Sequence, residues 1–596
     1  MGFDYAWVHL NYTIPPAIIL SLLYRPFFTR IDAYKVLFLV SIAVIATIPW
    51  DSYLIRRKIW TYPPNVIIGP TFLAIPAEEL FFFVIQTYNT ALLYLVLSKP
   101  ILHPNYLLGC FPGHQTPFKT IRNTGQFFLA VCILVGGHLV RKGGEGTYLG
   151  LILVWAGPFA LFLWSLAYQF LVALPYTSTA LPILGPTLYL WVVDTMALRR
   201  GTWAIESGTK LGIHVWEGLE IEEAVFFLAT NILVVFGLVA FDNAMAVLLT
   251  FPRLFPQVPT LPSPVLLIEA LMIGCAKYDL ARLDAIKQAS RRLQSKSRSF
   301  YLASSVFTGR LRIDLIFLYS FCRVADDLVD EASSEGDARE WIIKLTKYLD
   351  LAYQSKETWL ITEQPDVCSY ITNNFPESTQ SALRLLPTHI LSFGPLYELL
   401  EGFKTDLDFH SDNAAKSSRN FPISNQQDLD RYCGRVAGTV GELCLELVFH
   451  HSKSPLTISQ KENLVREGGR MGVALQLVNI ARDIATDAKI GRVYIPKTWL
   501  KAQGLQPQDI LANPDASVTE RFRESLLKRA FTAYLTSRDA ISQLPSDARA
   551  PIRVAVESYM EIGRVLVKKG YQVREGKATV PRLRRLKVAW KALSQG

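Results

Sequence analysis

Long apolar runs fill the chain up to about residue 275, after which charged residues return at the density of an ordinary globular protein. The runs predict membrane-crossing helices at roughly 5–24, 34–50, 79–98, 126–140, 148–173, 180–196 and 223–241. The clearest, Tyr148 to Leu174, carries no charge and exceeds the roughly 20 residues a bilayer requires. A shorter run, Val265 to Ala276, reads either as an eighth crossing or as a helix lying at the interface. Pro252, Pro256, Pro259, Pro262 and Pro264 rule out a continuous helix there and mark a linker. From about 280 onward helical periodicity dominates, with a polar, irregular loop expected at 409–424. The pattern predicts an all-α chain in parts: a polytopic membrane domain at 1–250, a linker at 251–284 holding the short run, and a soluble helical domain at 285–596.

The membrane half repeats itself. Asp51, Arg56-Arg57 and Trp60 recur as Asp194, Arg199-Arg200 and Trp203. Ala77-Glu78-Glu79-Leu80-Phe81-Phe82-Phe83 recurs as Ile221-Glu222-Glu223-Ala224-Val225-Phe226-Phe227. The offset is 143 or 144 throughout, which implies duplication of a unit of a few helices. Four expected crossings separate the two basic loops and return both to one face, which the excess of Lys and Arg makes cytoplasmic.

Composition agrees with an integral, multi-pass membrane protein: half of the 596 residues are hydrophobic. The net charge of +10 is scattered, with no helix-turn-helix, zinc-finger or RNA-binding pattern, so nucleic acid is not an expected partner. The tail Arg582 to Lys591 is basic with apolar residues between, and is expected as a solvated helix in preference to a membrane-surface one. Seven cysteines include no CxxC pair, and Cys110, Cys132 and Cys275 are expected to be reduced fillers. No cleavable signal peptide is evident, so the first apolar run is expected to remain as an anchor.

Two acids heading an otherwise apolar helix are costly unless protonated, paired or functional. Burial disfavours the charged form of a carboxyl group, and a neutral acid can protonate an alkene. Helix capping at the interface is the plainer explanation for one such pair, but two pairs at matched positions favour catalysis by Glu78, Glu79, Glu222 and Glu223. Asp51 and Asp194 are expected either to support them or to serve the membrane edge. These residues resemble the small-membrane-protein family of lycopene cyclases, whose signature is a Pro-x-Glu-Glu motif before a Phe-rich helix. Pro76-Ala77-Glu78-Glu79 matches it, while Glu220-Ile221-Glu222-Glu223 lacks the proline. The resemblance, over about 1–245, implies acid–base closure of lycopene ends to β-ionone rings. No nucleotide-binding fingerprint is present for that half.

The soluble half carries Arg323-Val324-Ala325-Asp326-Asp327-Leu328-Val329-Asp330 and Asn479-Ile480-Ala481-Arg482-Asp483-Ile484-Ala485-Thr486-Asp487. Asp326 with Asp330, and Asp483 with Asp487, are four apart and share a helix face. Like charges so spaced call for cations, and magnesium suits them because it takes one or two carboxylates and completes its shell with water and phosphate oxygens. Manganese is the alternative ion. A lone pair of this kind is usually a solvated face; two, each with an arginine beside it, point to a diphosphate site.

Around these motifs Ser297-Arg298-Ser299-Phe300-Tyr301, Tyr319-Ser320-Phe321-Cys322-Arg323, Tyr432-Cys433, Val436-Ala437-Gly438-Thr439-Val440-Gly441 and Gly491-Arg492-Val493-Tyr494-Ile495-Pro496 resemble the squalene/phytoene synthase family. Glu401-Gly402 and Asp406-Leu407 fit the helix between. The resemblance, over about 285–575, implies an isoprenoid-synthase helical bundle that joins two geranylgeranyl diphosphates head to head into phytoene. It implies substrate binding by Arg298, Ser299, Phe300, Arg323, Tyr432, Gly438, Asn479, Arg482 and Arg492, and a catalytic Tyr319. Arg435 departs from the family's usual tyrosine and leaves that role unassigned. Cytosolic substrates and magnesium favour a cytoplasmic synthase, hence an eighth crossing. Geranylgeranyl diphosphate, lycopene, membrane lipid and a phytoene desaturase are the expected partners. A squalene synthase-like enzyme, or a transporter fused to a prenyl-binding module, are the competing readings.

Overall fold

The computed structural model describes residues 2–107, 115–354, 360–409, 420–452, 454–568 and 579–595. Most of the expected 409–424 loop, together with Cys110, therefore lies outside the described residues. The fold is all-α apart from three two-stranded ladders, and it divides into two compact units, Met1–Leu283 and Asp284–Gly596.

Among the described residues of the first unit, seven helices are long and apolar enough to cross a membrane: Asp4–Phe27, Arg30–Arg56, Ala77–Ser98, Thr116–Lys142, Gly144–Ala173, Tyr176–Arg200 and Ile221–Thr250. The two short runs, 34–50 and 126–140, lie inside helices of 27 residues each. Pro15 and Pro16 follow a π turn at His9–Thr13 and fall in the first turn of Ile14–Tyr24, where proline's fixed φ suits the helix. Thr29 caps the second helix by accepting the Asp32 N–H, and Asp32 returns the bond to the Thr29 N–H.

The run read either as an eighth crossing or as an interfacial helix is short. Pro264–Met272 is a nine-residue helix, about 13.5 Å long at 1.5 Å per residue, less than half of the ~30 Å hydrocarbon core. Ser263 caps it, Pro264 opens it, and Leu267 and Ala270 pack into the core formed by Val247, Leu248 and their neighbours. Cys275 is also not a reduced filler, because it is disulfide-bonded, whereas Cys132 is free.

The sequence repeat is a structural repeat of three helices. The first three crossings form one copy and the last three the other, with Gln115–Lys142 between them. Each copy closes a short hairpin just before its Glu-Glu helix: Thr71–Phe72 pairs with Ile75–Pro76, and His214–Trp216 with Leu219–Glu220. A third ladder joins the copies, Trp60 opposite Ile205 and Thr61 opposite Ala204. At the other end of the bundle Lys35 is buried in an ion pair with Asp242, which also accepts the Tyr94 hydroxyl at 2.7 Å. That pairing meets the requirement that a charge removed from water find a partner.

The second unit is a helical bundle. Its core is built from Gly309–Asp330, Glu335–Gln354, Phe393–Leu407, Thr439–His451, Ile458–Lys489, Ser517–Ser537 and Ser546–Leu566. Ile458–Lys489 runs through the centre beside Ser517–Ser537 and Thr439–His451. Glycines allow the closest approach: a Cβ on Gly472 would lie 2.2 Å from the Ala437 carbonyl oxygen, and one on Gly441 would lie 2.4 Å from that of Gly468.

Candidate active sites

In the membrane unit the paired glutamates head their helices and all four are buried. The two members of each pair have different partners. Glu78 Oε1 accepts the backbone N–H of Ile68 at 2.7 Å, and Glu222 Oε1 accepts that of Leu211 at 2.7 Å. The first glutamate of each copy thus holds its own copy's loop. The second faces tyrosine: Glu79 Oε2 accepts the Tyr62 hydroxyl at 2.7 Å and the Tyr5 hydroxyl, and Glu223 Oε1 accepts the Tyr148 hydroxyl at 2.8 Å. Tyr5 and Tyr148 are themselves 143 residues apart, so the repeat includes the hydroxyl donors.

Aromatic rings bring the two copies together. Tyr5 lies 5.1 Å from Trp203, Trp60 lies 6.2 Å from Tyr148, and Trp60 stacks on Trp203 at 6.3 Å. Glu79 acts electrostatically on Glu223, Asp194 and Asp51, so carboxyl groups of both copies share one buried region. The Trp203 indole N–H donates to Asp194 Oδ1 at 3.1 Å. Five buried oxygens, Oε2 of Glu78, Glu222 and Glu223 and Oδ2 of Asp51 and Asp194, have no hydrogen-bond partner among the described residues. A charged oxygen in that condition is costly, whereas a protonated one can act as a donor. Tyr62, in the loop outside the crossings, has its hydroxyl pushed well up by burial and by the Glu79 carboxylate, so it stays a donor.

Sequence reasoning missed Tyr5, Tyr62, Tyr148 and His9. Buried His9 donates from Nε2 to the Glu78 carbonyl at 3.0 Å and stacks on Tyr5 at 4.9 Å. Only the repeat offset linking Tyr5 to Tyr148 was available as a signal.

The second unit encloses a cavity of about 980 Å3. Tyr319 and Tyr559 flank Phe300 on its wall: Tyr559 stacks on Phe300 at 5.4 Å, and Tyr319 meets it at 6.2 Å and 63°. Ser299, Arg323, Asp326, Tyr432, Asn479, Arg482 and Asp483 also line it, while Asp330, Asp487 and Arg492 are not among the lining residues. Arginines hold the carboxylates: Arg323 bonds Asp326 at 2.8 Å and also pairs with Asp327, Arg482 bonds Asp483 at 2.8 Å, and Arg492 bonds Asp330 at 2.8 Å. Burial, then the neighbouring Asp330, pushes Asp326 up to about 7. Burial, then Asp483, pushes Asp487 up to about 8. Both shifts come first from burial and then from a like-charged neighbour, so each carboxyl group sits where added positive charge would favour its ionised form.

No group of three metal-ligating side chains converges among the described residues.

Asp406 was not among the expected site residues, yet it joins Tyr432 to Tyr494. Its oxygens accept the hydroxyls of Tyr494 at 2.7 Å and Tyr432 at 3.1 Å, and burial pushes it up to about 6. Gly438, expected to bind substrate, does not line the cavity. Gly438 packs against Gly469, whose carbonyl oxygen would lie 3.2 Å from an added Cβ, and Ala437 and Gly441 take the cavity wall instead. Arg435 bonds Glu398 at 2.9 Å in a separate shallow depression and does not line the cavity. The side chain of Arg298 lies outside the described residues.

Residues 293–584 match the squalene/phytoene synthase family model. Over their full lengths, the chain is 56% identical to the bifunctional lycopene cyclase/phytoene synthase of Leptosphaeria maculans and 57% to that of Pyrenophora tritici-repentis. It is 55% identical to that of Phaeosphaeria nodorum, again over all of both chains.

Proposed function

The chain belongs to the family of bifunctional lycopene cyclase/phytoene synthases, and from that premise we propose how its two units divide the work. The second unit joins two geranylgeranyl diphosphates into phytoene, and the first closes the ends of lycopene into β-ionone rings. Full-length identity above half to relatives carrying both activities in one chain is the observation that carries this reading.

For the synthase, enzymes of the matched family use divalent metal ions, and magnesium is the ion assigned here. Asp326, Asp330, Asp483 and Asp487 would hold it, with Arg323, Arg482 and Arg492 meeting the diphosphate oxygens. When bound, the metal supplies positive charge that weakens the carbon–oxygen bond to the departing diphosphate. The residues of the chain do the rest. The apolar cavity excludes water, and the faces of Phe300, Tyr319 and Tyr559 stabilise the allylic cation. That cation is captured by the second substrate's double bond, and loss of a proton from that substrate's C1 closes the ring of a cyclopropyl diphosphate. Loss of the second diphosphate, rearrangement and loss of one proton give phytoene. No reductant enters, which separates this reaction from squalene formation.

For the cyclase, a glutamic acid protonates the terminal double bond of lycopene. The neighbouring double bond attacks the tertiary cation, the ring closes, and a carboxylate removes one proton, so the product is an isomer of the substrate. Glu79 and Glu223 are the proton-handling pair, because both are buried and each is held by tyrosine hydroxyls and not by its loop's backbone. Glu78 and Glu222 position the loops over them.

Seven crossings would leave the loops after Arg56 and Arg200 on one face and the chain after Thr250 on the other. Basic residues do not separate the faces, since Arg25, Arg30, Lys99, Lys119 and Arg122 border the second. We assign that second face to the cytoplasm, because the diphosphate substrates and magnesium are there.

The deciding experiment measures both products from membranes carrying the intact chain, Glu79→Gln and Glu223→Gln. β-Ring loss with phytoene retained supports the division. An intact chain that makes no ring from lycopene, or no phytoene from geranylgeranyl diphosphate, ends the corresponding half of it.

A further inference from the structure

The helix Arg582–Ser594 has five basic residues and no acidic one, and two faces of different character. Ala589, Ala592 and Leu593 are buried, and Arg584 ties the helix to Glu561 of the neighbouring Ser546–Leu566. On the outward side Leu583 is 81% exposed, and Leu586 and Trp590 are each 45% exposed. At about 100° per residue these three fall within one narrow stripe. Arg582 borders it on one edge and Lys587 and Lys591 on the other, and all three are exposed. Three large apolar side chains held out to solvent beside cations are costly in water. They suit the boundary between acyl chains and anionic headgroups.

Two observations name the occupant. Seven apolar crossings tie the chain to a bilayer, so a lipid surface is always within reach. Thr579 and Val580, which lead into the helix, and Arg585 within it line the 980 Å3 cavity. The same short segment therefore edges the cavity and carries the apolar stripe.

We propose that Arg582–Ser594 docks the synthase unit on an anionic bilayer surface, bringing the edge of its cavity to the lipid. This rests on the synthase reading, under which a 20-carbon amphiphile enters and a 40-carbon hydrocarbon without any polar group leaves. Such a product partitions into acyl chains and not into water.

The test uses the full chain in nanodiscs of phosphatidylcholine with about a third phosphatidylserine, the charge that a polybasic face should sense. A photoreactive benzoylphenylalanine replaces Leu586 and, in a separate control, Ile343, which is 67% exposed on another helix. Lipid adducts at position 586 and not at 343 are expected. Lys587→Glu with Lys591→Glu should lower the yield at 586 several-fold while leaving phytoene synthesis in detergent unchanged. Adducts to water or protein alone at 586, or an unchanged yield in the charge-reversed chain, overturn the proposal. A chain that gives lipid adducts but no phytoene leaves the dock standing and removes the synthase reading.

Discussion

Trp60 stacks on Trp203 with their ring centroids 6.3 Å apart and their planes 30° apart, so the two copies of the membrane repeat meet through the same residue of each. The contact is possible because the loops carrying them pair as adjacent strands, with Trp60 opposite Ile205. The second glutamate of each copy is buried and accepts a tyrosine hydroxyl, Glu79 from Tyr62 and Tyr5 and Glu223 from Tyr148. A site assembled this way belongs to neither copy alone.

The glutamates should therefore sort by position within the pair, not by copy. Glu79→Gln and Glu223→Gln should each lower ring formation by roughly 10²–10⁴-fold, the usual worth of a positioned acid or base. Glu78→Gln and Glu222→Gln remove only part of a loop anchor, and a loss on the order of tenfold is expected. Product analysis of lycopene-fed membranes measures all four. Equal losses for all four would argue against the distinction.

Metal dependence should split the two activities. Chelation with EDTA, or Asp326→Asn with Asp483→Asn, should abolish phytoene formation and leave lycopene cyclisation within about twofold, since the cyclase reaction is acid–base chemistry needing no Lewis acid. A parallel loss of cyclisation would place a cation in the membrane site.

Acidic residues crowded at the synthase site should also set the pH dependence of its stability. Asp326, Asp406 and Asp487 are raised from ordinary carboxylate values to about 7, 6 and 8. The folded state then holds protons that the unfolded chain has released. These groups favour folding below about pH 4, and their contribution is lost as pH rises through 6 to 8. Thermal denaturation without divalent metal should show the unfolding midpoint of the synthase unit falling between pH 5 and pH 8.5. Magnesium with inorganic diphosphate should restore it at the upper end. A midpoint that climbs over this range without metal contradicts the assignment.

Tyr559 tests whether the aromatic wall holds a cation or merely fills space. Tyr559→Phe keeps a ring stacked on Phe300 and should cost phytoene formation no more than about threefold. Tyr559→Ala removes the face and should cost roughly 10- to 30-fold, in line with a desolvated cation–π contact of up to about 2 kcal/mol. Equal effects of the two substitutions would assign the role to the hydroxyl, which donates to Asn479 at 2.6 Å.

Seven crossings also give an accessibility test. Membrane-impermeant reagents should reach an engineered cysteine at Asn65 from the side opposite to one at Ser594. Labelling of both from one side would require another crossing.

Much of this was readable in the sequence because its periodicities are long and its motifs contiguous. The 143–144 offset, the helix-heading glutamates and the paired aspartates all lie within single segments. The absent proline in the second copy proved immaterial. Pro76 at φ −58°, ψ 148° and Glu220 at φ −68°, ψ 146° hold the same backbone conformation before their helices, one that many residues reach. What stayed hidden depends on distant segments meeting. Tyr5 reaches Glu79 across 74 residues, and Tyr494 reaches Asp406 across 88. The run at 265–276 left two readings open because hydropathy does not register the serine cap and proline start that limit its helix to nine residues.

Gln115–Lys142 packs chiefly on the helix that follows it and takes no part in the paired loops. Its value lies in parity. A unit of three passes ends on the far side of the bilayer from where it began, so a second unit in the same orientation cannot start until the chain has come back. With seven crossings, the extra helix would be that return stroke. Two separately encoded halves would have no use for it, whereas joining them into one polypeptide makes an odd connecting pass obligatory.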